Sequence, residues 1–380
     1  MNTLKKLIAA VLLAAPMFCL AQPQPQSQPQ PKKIQVLICL DVSGSMSGLI
    51  DQAKDQLWNM VNVLGKAKNN DVAPQIEIAL YEYGRPGNGV NNGYVKRING
   101  FTSDLDEVSK NLFALTIDGG DEYCGHVIYT AISELNWDTT SKSYKVLFIA
   151  GNEDFYQGGT SYTKACALAS KKGVVVNTIY CGQRIQGIRE HWNLGGECGQ
   201  GSFTNIDQNI TVADIATPYD SSLFVLNDKL NTTYVAYGSL GYANHSKQSE
   251  VDKLNYSKNK SAAIKRVTVK GKKGLYKNST WDLVDAHADD STIITKIDKK
   301  TLPDSLKTKS TAEIQKIVKT KQKQRGEIQK DIETINKQRQ EYIVKEKSKT
   351  VAATSNQQTL ESEVEKIIKE QAKRYDLVIE

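Results

Sequence analysis

The sequence has 380 residues, of which 39% are apolar and 24% charged, and its formal net charge is +7. This length and apolar content predict one or two domains with a sizeable core and exclude a wholly disordered chain. The charge is modest for the size and gives no ground for a nucleic-acid partner.

The N-terminal segment predicts export. Met1–Ala21 places Lys5 and Lys6 before an apolar stretch, the pattern of a signal peptide, and it is too short for a stable membrane span. Residues 22–33 are rich in Gln and Pro and predict an extended tether. No later apolar run reaches the length of about 18 residues that a span needs. We therefore expect an exported protein, periplasmic or associated with the cell envelope, with secretion as an alternative and no transmembrane segment after signal removal.

Residues 34–238 alternate apolar strands with amphipathic helices. After a first strand that begins at Ile34, the predicted strands are Ile76–Tyr83, Val95–Ile98, Lys145–Ala150, Val174–Tyr180 and Gly201–Ile206. The predicted helices are Leu49–Leu64, Asp104–Leu115, Val127–Leu135, Ser161–Lys172 and Asp220–Tyr237. This alternation predicts one doubly wound, mostly parallel α/β domain, in which ligands bind beyond the carboxyl ends of the strands.

Residues 239–310 predict a basic linker with short helices. Within them, Lys253–Trp281 contains many lysines and arginines and no acidic residue. A solvated linker is the favoured interpretation, and a patch for an anionic surface is the alternative.

Residues 311–380 predict a helical C-terminal region. Thr311–Lys349 has an apolar seam, which basic residues interrupt, and therefore predicts a weak coiled coil. A polar linker, Val351–Thr359, follows the long helix. The amphipathic helix Leu360–Ala372 comes after the linker, and folding back on the long helix is one arrangement open to it. These helices offer a surface for self-association.

Five cysteines follow the signal peptide, so at least one thiol is unpaired within a monomer. Cys39 lies in the first strand and reads as a small core residue. Cys181 and Cys198 flank a loop and are candidates for a disulfide. No paired C-x-x-C spacing suggests zinc.

The first strand ends in Asp41-Val42-Ser43-Gly44-Ser45, which carries oxygen-bearing side chains at every second position. This spacing directs Asp41, Ser43 and Ser45 to one side of an extended chain. One carboxylate and two hydroxyls suit Mg²⁺, which prefers octahedral oxygen coordination. The alternative is a Ser-rich loop that only caps the next helix.

The Asp-x-Ser-x-Ser pattern at a buried strand's end resembles the metal-ion-dependent adhesion site (MIDAS) of von Willebrand factor type A (VWA) domains. The resemblance implies two further ligand loops. In the second loop, where the family usually has Thr, Asp121 or Glu122 must supply the oxygen, and the spacing to the predicted helix Val127–Leu135 favours Glu122. In the third, Asn152 occupies the position of the family's Asp and would act directly or through water.

The resemblance extends over most of the chain to a group of exported bacterial VWA proteins with no assigned activity. The segments that carry it are Phe148–Glu153, Asn177–Gly182, Tyr234–Gly238, Asn278–Val284 and Glu327–Tyr342. It implies a non-catalytic, metal-dependent protein-binding or adhesion module that binds Mg²⁺, or another divalent cation such as Mn²⁺ or Ca²⁺. A partner's carboxylate would complete the metal shell. A metal-bound Glu122 would weaken the binding of the partner's carboxylate, because it neutralises part of the metal charge, and Asn152 in place of Asp would strengthen it. Which of the two effects is larger stays open.

Two other functions stay as alternatives. The first is a structural or scaffold role through the C-terminal helices. The second is a metal-dependent hydrolase. Phosphate-loop and nucleophile-elbow patterns are absent around Gly44–Gly48, where Met46 occupies the nucleophile position.

Overall fold

We describe a computed structural model of the chain. It describes residues 31–70, 72–206, 215–258, 260–272, 274–351 and 360–379. The predicted signal peptide, residues 22–30 of the tether and residues 352–359 of the polar linker lie outside the described residues. From Pro31 onward the chain forms one compact unit.

A six-stranded sheet forms the centre of this unit. The described residues form eight strands, six of which belong to this sheet. In chain order they are β1 (Lys33–Asp41), β2 (Ala67–Lys68), β3 (Gln75–Tyr83), β4 (Lys96–Thr102), β5 (Tyr144–Gly151), β6 (Val174–Cys181), β7 (Gln200–Ile206) and β8 (Val378–Ile379). The order in the large sheet is β4-β3-β1-β5-β6-β7, while β2 and β8 form a separate antiparallel pair. Every neighbouring pair in the large sheet is parallel except β3 and β4. The predicted α/β fold class is confirmed.

Helices cover both faces of the sheet. They are α1 (Ile50–Leu64), α2 (Leu105–Ala114), α3 (Cys124–Glu134), α4 (Tyr162–Lys172), α5 (Arg184–Arg189), α6 (Trp192–Cys198), α7 (Asp220–Asn231), α8 (Gly241–Lys258), α9 (Lys260–Lys270), α10 (Leu283–Asp289), α11 (Ile293–Lys296), α12 (Asp304–Lys307), α13 (Thr311–Val351) and α14 (Leu360–Lys373). The helix predicted to end at Tyr237 ends at Asn231, because Val235 and Tyr237 instead hydrogen-bond to the segment around Trp281 and Asp282.

Alternation along β1 divides the core into two. Ile34, Val36 and Ile38 face the cluster built with α1, α2, α9 and α14. Leu37 and Cys39 face the opposite cluster, built with α3, α4 and Trp192. Successive side chains of a strand point to opposite faces, so a strand covered on both sides is apolar throughout.

The basic segment Lys253–Trp281 is not the solvated linker that its composition predicts, because most of it lies in α8 and α9. Its buried Arg266 pairs with Asp106 of α2 at 2.7 Å and with Asp252 of α8 at 2.5 Å. Lys270, also buried, pairs with Asp252 at 2.7 Å. The acids that neutralise these cations lie outside the segment, so its composition alone was misleading.

The long helix α13 packs along the chain's own helices. Ile314 and Val318 lie in a cluster with α10, and Ile332 lies in the main core. From the sequence, Arg325 interrupts the apolar seam. In the structure it is buried and forms salt bridges with Asp282 and Asp285, each at 2.6 Å.

The last helix, α14, packs against α1 and β7. Gln371 of α14 donates to Asn177 at 2.7 Å and accepts from the Tyr144 hydroxyl at 2.8 Å. Residues of the C-terminal region therefore complete the cover of the central sheet.

The disulfide joins Cys166 to Cys198, not Cys181 to Cys198. Cys181 ends β6 and is buried with the α1 side of the core, whereas Cys166 and Cys198 lie on α4 and α6. The Cα atoms of the bonded pair are 5.8 Å apart. In the described part of the chain, none of the helices combines the length and apolarity required to span a membrane.

Candidate metal centre

The site lies at the carboxyl ends of β1 and β5. After β1 the chain adds β3 and β4 on one side, and then crosses to the other side to form β5. This reversal opens a crevice at the ends of the two adjacent strands. Asp41 ends β1 and Asn152 follows β5, so the fold brings together two residues that are far apart in sequence.

The loop after β1 connects these two residues through hydroxyl groups. The Ser43 backbone N–H donates to Asp41 Oδ1 at 2.8 Å. Ser43 Oγ and Ser45 Oγ share a hydrogen bond of 2.8 Å, and Ser45 Oγ donates to Asn152 Oδ1 at 2.8 Å. Asn152 in turn donates to the Ser45 carbonyl at 3.1 Å. Asp41 and Ser43 are buried while Ser45 is exposed, so the group opens to solvent on the Ser45 side.

The two candidates from the second loop have different positions. Glu122 is buried and lies against Ser43 and Asp41. Asp121 is exposed, and its carboxylate is hydrogen-bonded to the Tyr94 hydroxyl. The structure therefore brings Glu122, and not the Asp121 side chain, into contact with the other candidate ligands.

Asp41 and Glu122 each keep one oxygen without a protein partner. Asp41 Oδ2 and Glu122 Oε2 are fully buried and accept no hydrogen bond within the described residues. Burial raises the pKa of Asp41, and the nearby Glu153 carboxylate raises it further. Burial and the adjacent Asp41 carboxylate likewise raise the pKa of Glu122. Unpaired buried acceptors are costly, so this pair is suited to a bound cation.

Two glycines allow this close packing. Gly84 has φ +83°, and a Cβ there would lie 2.7 Å from Asp41 Oδ1 and 3.1 Å from Glu122 Cγ. A Cβ at Gly151 would lie 2.3 Å from the Tyr83 hydroxyl oxygen and 3.1 Å from Asp41 Cβ. Any side chain at these positions would push against the carboxylates or their support.

Sequence reasoning did not select two residues that shape the site. Glu153, next to Asn152, acts electrostatically on both Asp41 and Glu122. Tyr83 is buried on β3, where it pairs with Asp41 of β1, and its hydroxyl donates to the Ala150 carbonyl at 3.1 Å. The adjacency of Glu153 to Asn152 was a visible signal, whereas the role of Tyr83 depends on the pairing of β1 with β3.

A separate polar pair joins the third loop to the segment between α5 and α6. His191 Nδ1 is 3.1 Å from Asp154 Oδ1, and the His191 ring stacks on Tyr156 with centroids 3.9 Å apart. The following residue, Trp192, donates from its ring to the Glu153 carbonyl at 2.7 Å. These contacts fix the loop that carries Asn152 and Glu153.

The donor set fits a small divalent cation. Among the described residues, His, Cys, Asp and Glu alone form no cluster of three able to hold a metal. Asp41 and Glu122 instead combine with the neutral oxygens of Ser43, Ser45 and Asn152. Carboxylate, hydroxyl and amide oxygens are the donors that Mg²⁺ accepts, usually with water in the remaining positions.

No protein-family model and no curated protein matches the sequence. The structure is similar to solved structures of VWA domain proteins. These include BatB from Bacteroides thetaiotaomicron, with 13% identity over 58% of this chain and 99% of that chain, at a TM-score of 0.36. A VWA protein from Catenulispora acidiphila has 13% identity, and the match covers 47% of this chain and 40% of that chain at a TM-score of 0.35. The SpRpn10 VWA domain has 14% identity over 47% of this chain and 88% of that chain, at a TM-score of 0.34. The similarity is one of fold, and function has to be inferred from the site itself.

Proposed function

We propose that this chain is an exported, non-catalytic protein-binding module of the bacterial cell envelope that depends on a divalent cation. The observation that carries the proposal is a pair of buried oxygens, Asp41 Oδ2 and Glu122 Oε2, which have no hydrogen-bond partner in the described part of the chain. The proposal of export rests on the sequence of Met1–Ala21.

Asp41, Ser43, Ser45, Glu122 and Asn152 would hold the cation, and Mg²⁺ is the ion we favour over Mn²⁺ or Ca²⁺. The cation would neutralise the two buried carboxylates and fix the three loops relative to one another. The resulting surface has apolar side chains at its edge, since Ile117 and Tyr156 are exposed on the second and third loops. Exposed apolar and aromatic side chains are the usual core of a protein interface.

The scaffold alternative has less support. A partner or second copy would need the apolar residues of α13, yet Ile314, Val318 and Ile332 are buried against this chain. The hydrolase alternative is tested by turnover of generic phosphoester and peptide substrates with and without Mg²⁺.

The proposal is tested by capturing partners from envelope extracts with the purified protein, in Mg²⁺ and in chelator. Asp41→Ala protein serves as the matched control. A partner retained only with Mg²⁺ and an intact Asp41 supports the proposal. A partner retained equally under all three conditions would contradict the proposal and show that the partner binds another surface, such as the C-terminal helices.

A further inference from the structure

The second carboxylate of the site determines what the metal ion can accept from a partner. We infer that Glu122 supplies from within the chain the negative charge that a partner's carboxylate would otherwise bring, so that the open metal position accepts a neutral oxygen. The donor would be a backbone carbonyl, a side-chain amide or a hydroxyl of the partner. This inference rests on the proposed metal-dependent function.

The position of Glu122 supports a direct role. The residue has 3% of its surface exposed, so solvent screens its charge only weakly. Its side chain lies against Ser43, which also contacts Asp41, and against the position that a Gly84 Cβ would fill. Its Oε2 has no partner among the described residues. A buried carboxylate without a partner needs a cation or a proton to offset its desolvation.

The charges of the site then determine whether the metal ion favours a charged or a neutral oxygen from the partner. The carboxylates of Asp41 and Glu122 together balance the two positive charges of a divalent cation, and Ser43, Ser45 and Asn152 add none. Glu153 adds a further negative charge nearby. Arg85, which follows Gly84, is already paired with Glu82 at 3.1 Å and with Asp118 at 3.5 Å. An incoming carboxylate would therefore meet a neutral or negative site, and charges near a protein surface repel each other more strongly than charges in bulk water.

A neutral residue at position 122 would leave the same cation with a net positive charge. The site would then hold the ion less tightly and attract an external carboxylate. Glu122 is in this way the residue that determines the class of group a partner offers.

The test is a calorimetric titration of Mg²⁺ into the purified protein, in buffer with chloride and in buffer with an equal concentration of acetate. Wild-type protein should bind Mg²⁺ with an affinity that acetate changes by less than about twofold. Glu122→Gln, which keeps the shape of the side chain, should bind about tenfold more weakly in chloride, because ligand charge tunes affinity. Acetate should restore several-fold of that loss.

Asp121→Asn is the matched control, since it removes a neighbouring carboxylate that is exposed, and it should behave as wild type. Circular dichroism confirms that each variant is folded. Strengthening of wild-type Mg²⁺ binding by acetate, or unchanged binding by Glu122→Gln, would overturn this inference and leave the proposed function intact. Absence of Mg²⁺ binding by the wild-type protein would overturn both.

Discussion

At the scale of single residues, the candidate site buries two carboxylates close to each other. Asp41 and Glu122 are both buried; burial raises the pKa of each, and the Asp41 carboxylate raises the pKa of Glu122 further. Such a pair costs free energy whenever both groups are ionised, and a cation or a proton relieves that cost. The site is thus poised to bind a cation at the expense of stability without one.

The Glu122→Gln variant should therefore be more stable than wild type in chelator at pH 8. Burial and the Asp41 carboxylate raise the pKa of Glu122 from 4.5 to about 8, so the stability that its protonated form supplies is complete below pH 4.5 and is lost progressively as the pH rises to 8. We expect the variant to gain a few kcal/mol in free energy of unfolding at pH 8 and about 1 kcal/mol or less at pH 5, since each unit of pKa shift is worth about 1.4 kcal/mol. Denaturant unfolding at the two pH values measures this. An equal difference between variant and wild type at both pH values would contradict it.

The sequence predicted that the first and third loops of this candidate site lie close together, while their role as metal ligands stays a prediction. Asp41, Ser43, Ser45 and Asn152 follow directly from two buried strands, and adjacent strands bring their ends together. The choice between Asp121 and Glu122 could not be made in the same way. It depends on the path of the backbone after Gly119 and Gly120, which no periodic pattern specifies.

At the scale of elements, the long helix α13 is attached through a buried charge. Arg325 hydrogen-bonds Asp282, Asp285 and Thr233, and its guanidinium lies 4.1 Å from the centroid of the Tyr234 ring. Removing one partner of a buried ion pair leaves the other charge without compensation.

We expect Arg325→Met to destabilise the protein by about 3 kcal/mol, because Asp282 and Asp285 would remain buried without their cation. The exposed Lys323→Met, two residues away on the same helix, is the control and should change stability by less than about 0.5 kcal/mol. Thermal and denaturant unfolding measure both. A loss in Arg325→Met no larger than that in Lys323→Met would show that the buried pair does not anchor the helix.

At the scale of the whole molecule, the helices after Gly238 form part of the cover of the sheet. Val267 and Val269 of α9 and Ile368 of α14 lie in the same core cluster as α1. Arg266 neutralises the buried Asp106 of α2. The α/β region and the C-terminal helices therefore share one core.

A fragment that ends at Gly238 should fail to fold. It would expose the side of α1 that α9 and α14 cover and leave Asp106 without its cation. Losses of this kind exceed the net stability of about 5–15 kcal/mol that a folded protein has. Circular dichroism and size-exclusion chromatography check this, with the full chain as reference. A folded, monodisperse fragment would contradict the shared core.

Alternation of strands and helices was sufficient to predict the α/β class, because strands buried on both faces leave long apolar runs. The basic segment was misread for a physical reason. Arg266 and Lys270 look solvated when only nearby sequence is considered, but Asp106 neutralises Arg266 from a distant helix, and Asp252 neutralises both from the residue just before the segment. Disulfide pairing was beyond the sequence for the same reason, since the loop spacing of Cys181 and Cys198 says nothing about which helices meet.

The most direct test of the account is calorimetric titration of Mg²⁺ into wild-type and Asp41→Ala protein under identical conditions. We expect saturable binding of one ion per chain by the wild type and none by the variant, with both proteins folded by circular dichroism. Equal Mg²⁺ affinity in the two proteins would contradict the assignment of the metal to this site.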